Sequence, residues 1–237
     1  VIRGMWTMRA LRTVLILAVV LGGLLVGADR VAAAFAETEA AEGVRIGTVR
    51  AESTDVDIKG FPFLTQVADK NLDEVEIRLT GVQARAGGRP VRIGELTAAL
   101  RDVTLDADYG IDRAGSADGT ARIAYPDLAA ASGRDAQVAY GGDGKLKVTG
   151  GVRILGRTLT RSVLSTVTLV DGDTIRVRAD EVPGEGIPGL EKMVRSRTDF
   201  DRRIEGLPKG MRLTKVEARE DGLVVTVTGE NVTLKAS

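Results

Sequence analysis

The sequence predicts an α+β protein: an elongated, curved antiparallel β-sheet wrapping two or three helices, preceded by one N-terminal membrane or signal helix. Three observations predict it. An uncharged apolar run, Thr13 to Ala28, lies between Arg12 and Asp29-Arg30. From about Val44 apolar residues recur near every second position for most of the chain, the period of a half-buried strand. Asp-Gly pairs at 143–144, 171–172 and 221–222 each separate two alternating runs, and such pairs favour tight hairpins because both residues tolerate positive φ.

The chain divides into a basic N-terminal region (1–12), a signal peptide or transmembrane anchor (13–28) and a folded domain outside the membrane (29–237). As a helix the apolar run would span about 24 Å, against a hydrocarbon core of roughly 30 Å. Ala32-Ala33-Ala34 and Ala34-Phe35-Ala36 offer small-x-small cleavage sites, the pattern of a removable signal. The opposing reading, which we prefer, is an uncleaved anchor, with Arg12 snorkelling and Asp29 capping a helix that continues through Val31, Ala34, Phe35 and Thr38. Arg3, Arg9 and Arg12 precede the run, whereas Glu37, Glu39 and Glu42 follow it. That bias places the N-terminus in the cytoplasm and the domain outside. Met8-Arg-Ala-Leu-Arg is by itself a complete basic leader start, so translation is as readily read from Met8 as from further upstream.

Strands are predicted at 44–50, 54–60, 73–82, 96–105, 119–125, 136–140, 145–153, 158–170, 174–182, 211–218 and 223–234. Two helices are predicted within the domain. One runs over 61–70 with Phe63, Leu64 and Val67 on a face, and one over 187–204 with Leu190, Met193, Val194, Phe200 and Ile204 near helical spacing. Gly119, Gly150, Gly151 and Gly156 fall inside strand patterns, where glycine marks bulges and bends.

The strand pattern is interrupted by Gly60-Phe61-Pro62-Phe63-Leu64, which holds two of the four phenylalanines. Pro62 removes a ladder donor, so a central strand does not pass through it. The knuckle reads either as a core corner filled by two rings or as the lip of an apolar cavity. On the second reading, Asp at both 61 and 63 abolishes ligand uptake without unfolding the domain.

Composition narrows the chemistry. With 43% hydrophobic and 28% charged residues the chain can bury a core. It contains neither His nor Cys, which excludes Ser-His, Cys-His and His-metal sites and disulfides. Net charge is zero, and no basic block interleaved with aromatics points to nucleic acid. Asp106/Asp108 and Asp171/Asp173 lie beside turns, where Asp is favoured for backbone reasons. A calcium loop, a Ser-x-x-Lys pair and a phosphate-binding Gly-rich loop are all missing. We therefore expect no catalytic residue, metal or cofactor. What remains is binding of an apolar ligand, since acyl chains gain about 0.8 kcal/mol per buried methylene. The lipid-binding candidates are Phe61, Phe63, Leu64, Val67, Leu190, Met193, Val194 and Phe200. Arg153, Arg157 and Arg161 are headgroup candidates, with plain exposed strand residues as the alternative.

The opening Asp29-Arg30-Val31-Ala32, the stretch Val56-x-Ile58-x-Gly60-Phe61-Pro62-Phe63-Leu64-Thr65-Gln66 and the closing Leu207-Pro208-x-Gly210-Met211-x-Leu213 with Gly222-Leu223-x-Val225 together resemble the actinobacterial LmeA-like phospholipid-binding family. The resemblance implies a non-catalytic cell-envelope protein at the cytoplasmic membrane. It would bind phospholipid, such as phosphatidylinositol-type lipids, and support envelope lipid and lipoglycan assembly beside envelope glycosyltransferases. The alternative is an extracytoplasmic scaffold for a membrane-bound envelope-synthesis enzyme, acting through an exposed strand edge.

Overall fold

In the computed structural model the described residues are 3–43, 51–86, 89–132, 136–154, 157–181, 192, 195, 198–204 and 206–234. The apolar run lies within one unbroken helix, α1 (Arg3–Gly43). Leu15 to Ala28 is exposed throughout, and the stretch Leu15–Glu42 is long and apolar enough to cross a membrane. The helix does not restart at Asp29, because no proline interrupts it and Ala, Leu and Val carry it through the junction.

The strands form two antiparallel sheets. The larger contains β1 (Ser53–Lys59), β2 (Asn71–Ala86), β3 (Arg89–Leu105), β4 (Ile111–Ile123), β10 (Lys209–Arg219) and β11 (Gly222–Thr233), in the order β1-β2-β3-β4-β11-β10. The smaller contains β5 (Ala136–Tyr140), β6 (Leu146–Ile154), β7 (Arg157–Val170), β8 (Thr174–Ala179) and β9 (Phe200–Arg203), in sequence order. Of two short helices, α2 (Phe63–Ala68) lies between β1 and β2 of the large sheet, and α3 (Tyr125–Ser132) leads from β4 to β5 of the small one. All three Asp-Gly pairs connect paired antiparallel strands, β5–β6, β7–β8 and β10–β11. Asp143 and Gly144 have φ of 50° and 72°, and Asp171 and Gly172 have 53° and 70°, the double positive φ of a tight turn of hairpin type, closed by the N–H of Lys145 on the Gly142 carbonyl and that of Asp173 on the Val170 carbonyl.

Among the described residues two large apolar clusters hold the fold, beside a small one of Val91 and Ile123. In one, Val56, Ile58, Phe63, Leu72, Val75, Leu100 and Val103 pack together with Ala33, and Ala32, Ala36, Ala40 and Ala41 flank it. Small residues on this face of α1 let the helix lie close to the sheet. In the other, Leu213, Ala218, Leu223 and Val225 of the large sheet meet Leu146, Val148, Val163, Ile175 and Val177 of the small one. The backbone N–H of Leu213 donates to the Gly172 carbonyl at 2.8 Å, tying β10 to the β7–β8 turn.

The helix predicted over 187–204 does not reach its predicted end. Residues 192, 195 and 198 are helical, but Phe200 begins β9, opposite Val177. Arg176 donates to both oxygens of Asp201 (Nε 3.0 Å, Nη2 2.8 Å), and Arg178 adds a third contact at 2.8 Å. Those cross-strand pairs and the ladder bonds outweigh the helical spacing of Phe200 and Ile204. Leu190, Met193 and Val194 lie outside the described residues, as does the strand predicted at 44–50.

Candidate functional site

Strand alternation gives the large sheet two chemically opposite faces. Read directly across the ladder, Ile58, Val75, Leu100, Ala117 and Gly229 make one transverse row. Val56, Ile77, Ala98, Gly119, Val227 and Leu213 make the next, and Leu79, Leu96, Ala121, Val225 and Val216 the third. The first two rows contain no polar side chain, and the third carries one, Thr54, opposite Leu79 on the edge strand β1. The opposite face carries ion pairs instead: Arg101 bridges Asp118 (2.9 Å) and Glu74 (3.6 Å), and Arg122 bridges Asp221 (2.6 Å) and Glu95.

Side-chain size varies along the apolar rows. The central strands β3 and β4 supply Ala98, Ala117, Gly119 and Ala121, while β2 supplies Val75, Ile77 and Leu79 and β11 supplies Val225 and Val227. β3 also supplies Leu96 and Leu100, so the short residues form a floor along β4 and at Ala98 beside it. Ile77, Leu96, Ala98, Ala121 and Val227 are half-buried, and they lie between the cluster under α1 and the cluster under the small sheet. Gly119 cannot grow: a Cβ there would sit 2.8 Å from Val227 Cγ2.

The sheet also bends along a defined line. Asp102 on β3 and Asn231 on β11 both adopt left-handed backbone (φ 51° and 50°), and both flank Gly115 of β4 in the ladder. On each strand the buried positions change phase there, from Leu100 to Val103, from Ala117 to Ala114 and from Gly229 to Val232. The buried side stays the same while the strands turn.

The knuckle splits into two roles. Phe63 is 6% exposed and belongs to the first cluster, with Val67 packed beside it, whereas Phe61 and Leu64 are 55% and 50% exposed. An Asp at 63 would bury a charge in that cluster, so the double Asp variant expected to stay folded is not a clean test. The α2 N-terminus is capped from a distance: Asp29 Oδ1 accepts the Leu64 N–H at 2.9 Å, rather than capping a helix of its own. Beside it, Arg30 Nη2 donates to the Gly60 carbonyl at 3.2 Å and its guanidinium lies 5.1 Å from the Phe61 ring centroid. Eight residues beyond Asp29, Glu37 Oε1 accepts the Ile58 N–H at 2.9 Å.

Phe200 packs at the rim of the second cluster. Arg161 is exposed on β7, two positions before buried Val163 on the same face. Arg153 and Arg157 belong to the β6–β7 ladder, opposite Thr158 and Ile154, and their side chains lie outside the described residues. The apolar rows were missed by a residue-by-residue search, because each strand alone shows only alternation. A recess of about 170 Å³ on the charged face is lined by Glu95, Thr97, Thr120, Arg122, Arg219, Asp221 and Val224. Its charges satisfy one another, and the hydrogen bond from Arg122 holds the Asp221 carboxyl below its ordinary range. Among the described residues no cluster of three acidic side chains is placed to hold a metal.

The large sheet thus has one ion-paired face and one largely apolar face, and it is joined to a helix long and apolar enough to cross a membrane, an architecture suited to apolar ligands. The chain belongs to the LmeA-like phospholipid-binding family, whose model matches residues 27–228. The match therefore begins inside α1 and takes in Asp29, Arg30, the knuckle and nearly all of the large sheet. No curated protein and no solved structure matches the chain.

Proposed function

We propose that the protein holds phospholipid by its acyl chains on the apolar face of the large sheet. It does so outside the cytoplasmic membrane, as a non-catalytic participant in envelope lipid and lipoglycan assembly. The observation that carries this reading is the run of three consecutive rows that, from β2 across to β11, hold no polar side chain. A run of methylenes laid along them is removed from water without stranding any hydrogen-bonding group. The arginines before the apolar run and the glutamates after it support the outside placement. Arg161, exposed at the end of an apolar strand face, is suited to a lipid phosphate, and a phosphatidylinositol-type headgroup would add hydroxyls there. The envelope glycosyltransferases are the receiving partners in this reading.

Native mass spectrometry of the full chain, released from detergent, tests it. The wild-type protein is expected to retain a diacyl lipid, and the variant Ala98→Trp/Ala121→Trp, which fills the floor of the face, to lose it. A folded double variant that keeps its full complement of lipid places the ligand elsewhere. A wild-type chain that stays lipid-free after exposure to phospholipid vesicles would favour the scaffold alternative.

A further inference from the structure

We propose that the knuckle is a second membrane contact: Phe61 and Leu64 seat in the headgroup–acyl boundary of the leaflet that α1 leaves, with Arg30 on lipid phosphate. The proposal rests on the reading of α1 as a membrane-spanning helix.

The position of the knuckle along α1 carries the argument. The uncharged run ends at Ala28, and the next residue, Asp29, bonds the backbone of Leu64 directly. Arg30 bonds Gly60 and lies over Phe61. The knuckle is thus pinned at the height where the helix emerges from lipid. Its two exposed side chains are large and apolar. At that height such side chains gain by entering the boundary zone, as interfacial apolar residues do.

The length of the run points the same way. Sixteen residues give about 24 Å of helix for a core of roughly 30 Å. A short span is accommodated by local thinning and by drawing flanking residues toward the boundary. Those flanking residues include Val31 and Phe35, each 71% exposed although no longer in the uncharged run. By helical spacing they occupy the side of α1 opposite Ala33, Ala36 and Ala40, the side turned from the domain. Apolar surface at this level therefore surrounds α1, on the helix at one side and on the knuckle at the other. The Arg30 side chain is 52% exposed and cationic, so it can meet a phosphate while keeping its contact with Gly60.

The chain contains no cysteine, which makes site-specific labelling direct. Single variants Phe61→Cys, Leu64→Cys, Val20→Cys and Tyr109→Cys of the full chain would each carry an environment-sensitive fluorophore. They would be reconstituted in vesicles of phosphatidylethanolamine and phosphatidylglycerol containing nitroxide lipids at two depths. Labels at 61 and 64 are expected to show blue-shifted emission and stronger quenching by the shallow nitroxide. The label at 20 should be quenched by the deep one, and that at 109, on an exposed turn, by neither. Labels at 61 and 64 that match the one at 109 overturn the proposal while leaving lipid retention on the sheet untouched. A label at 20 that escapes quenching overturns the spanning helix and this proposal together. Circular dichroism of each variant establishes folding, and Leu64→Cys serves should Phe61→Cys disturb the Arg30 contact.

Discussion

Asp29 illustrates how much one carboxylate organises here. Its fractional exposure is 3%, and it joins a helix in the membrane segment to the backbone of Leu64, 35 positions later. Sequence spacing alone marks it as a local cap, since Asp beside a helical pattern is most often that. Tyr125 is a second such residue. It is buried at the head of α3, its hydroxyl donates to the Arg219 carbonyl, and burial pushes its pKa up from 10.0 to about 12. Because the folded value exceeds the unfolded one, the stability this group contributes is complete below pH 10 and is lost as pH rises through about 12. We expect ultraviolet titration to lose an ionisation near pH 12 in Tyr125→Phe, and the alkaline unfolding limb of that variant to flatten. A variant that loses an ionisation near pH 10 instead would contradict the buried assignment.

At the scale of elements, hairpins with Asp-Gly turns were legible because a two-residue turn is a local requirement of φ. The β3–β4 turn was less so. There Asp106 Oδ1 accepts the N–H groups of Asp108 and Gly110 (2.9 and 3.0 Å), a side-chain solution that leaves no paired-glycine signature. Alternation located β3 and β4 but truncated both: the predicted β3 began only at 96 and missed 89–95, and the predicted β4 began at 119, beyond the phase change at Gly115 that breaks its pattern. α3 escaped because the strand predicted over 119–125 ran into its first residue, Tyr125, and β9 because its pairing with β8 is decided by Arg176 and Arg178 at a distance. The bend makes its own prediction. Asn231 holds left-handed backbone that Asn tolerates. Asn231→Gly should therefore leave thermal stability near wild type, whereas Asn231→Val should cost about 1–2 kcal/mol, read from denaturant midpoints. A Val variant as stable as the Gly variant would remove the backbone argument for the bend.

For the whole molecule, fold class and the membrane helix followed from composition and period, but the division into two sheets and the apolar face did not. Both depend on which strands pair, and β4 pairs with β11 across an intervening sheet. The docking of α1 bears on processing. Cleavage at either alanine site would detach Asp29 and Arg30, and with them the cap on α2 and the Gly60 contact. We expect protein extracted from membranes to retain the residues before Asp29, as read by intact mass. A mature form beginning within 33–37 would show that the domain dispenses with those bonds.

The unbroken course of α1 has a mechanical consequence. A single helix of 41 residues, about 60 Å long by its rise, is bonded to the domain at both Asp29 and Glu37. Between those two bonds there is no joint. The domain therefore tilts and turns with the helix and cannot swing out on a leash. On the proposed reading, in which α1 spans the membrane and the sheet holds lipid, cargo stays within arm's length of its own bilayer, and any recipient must come to it.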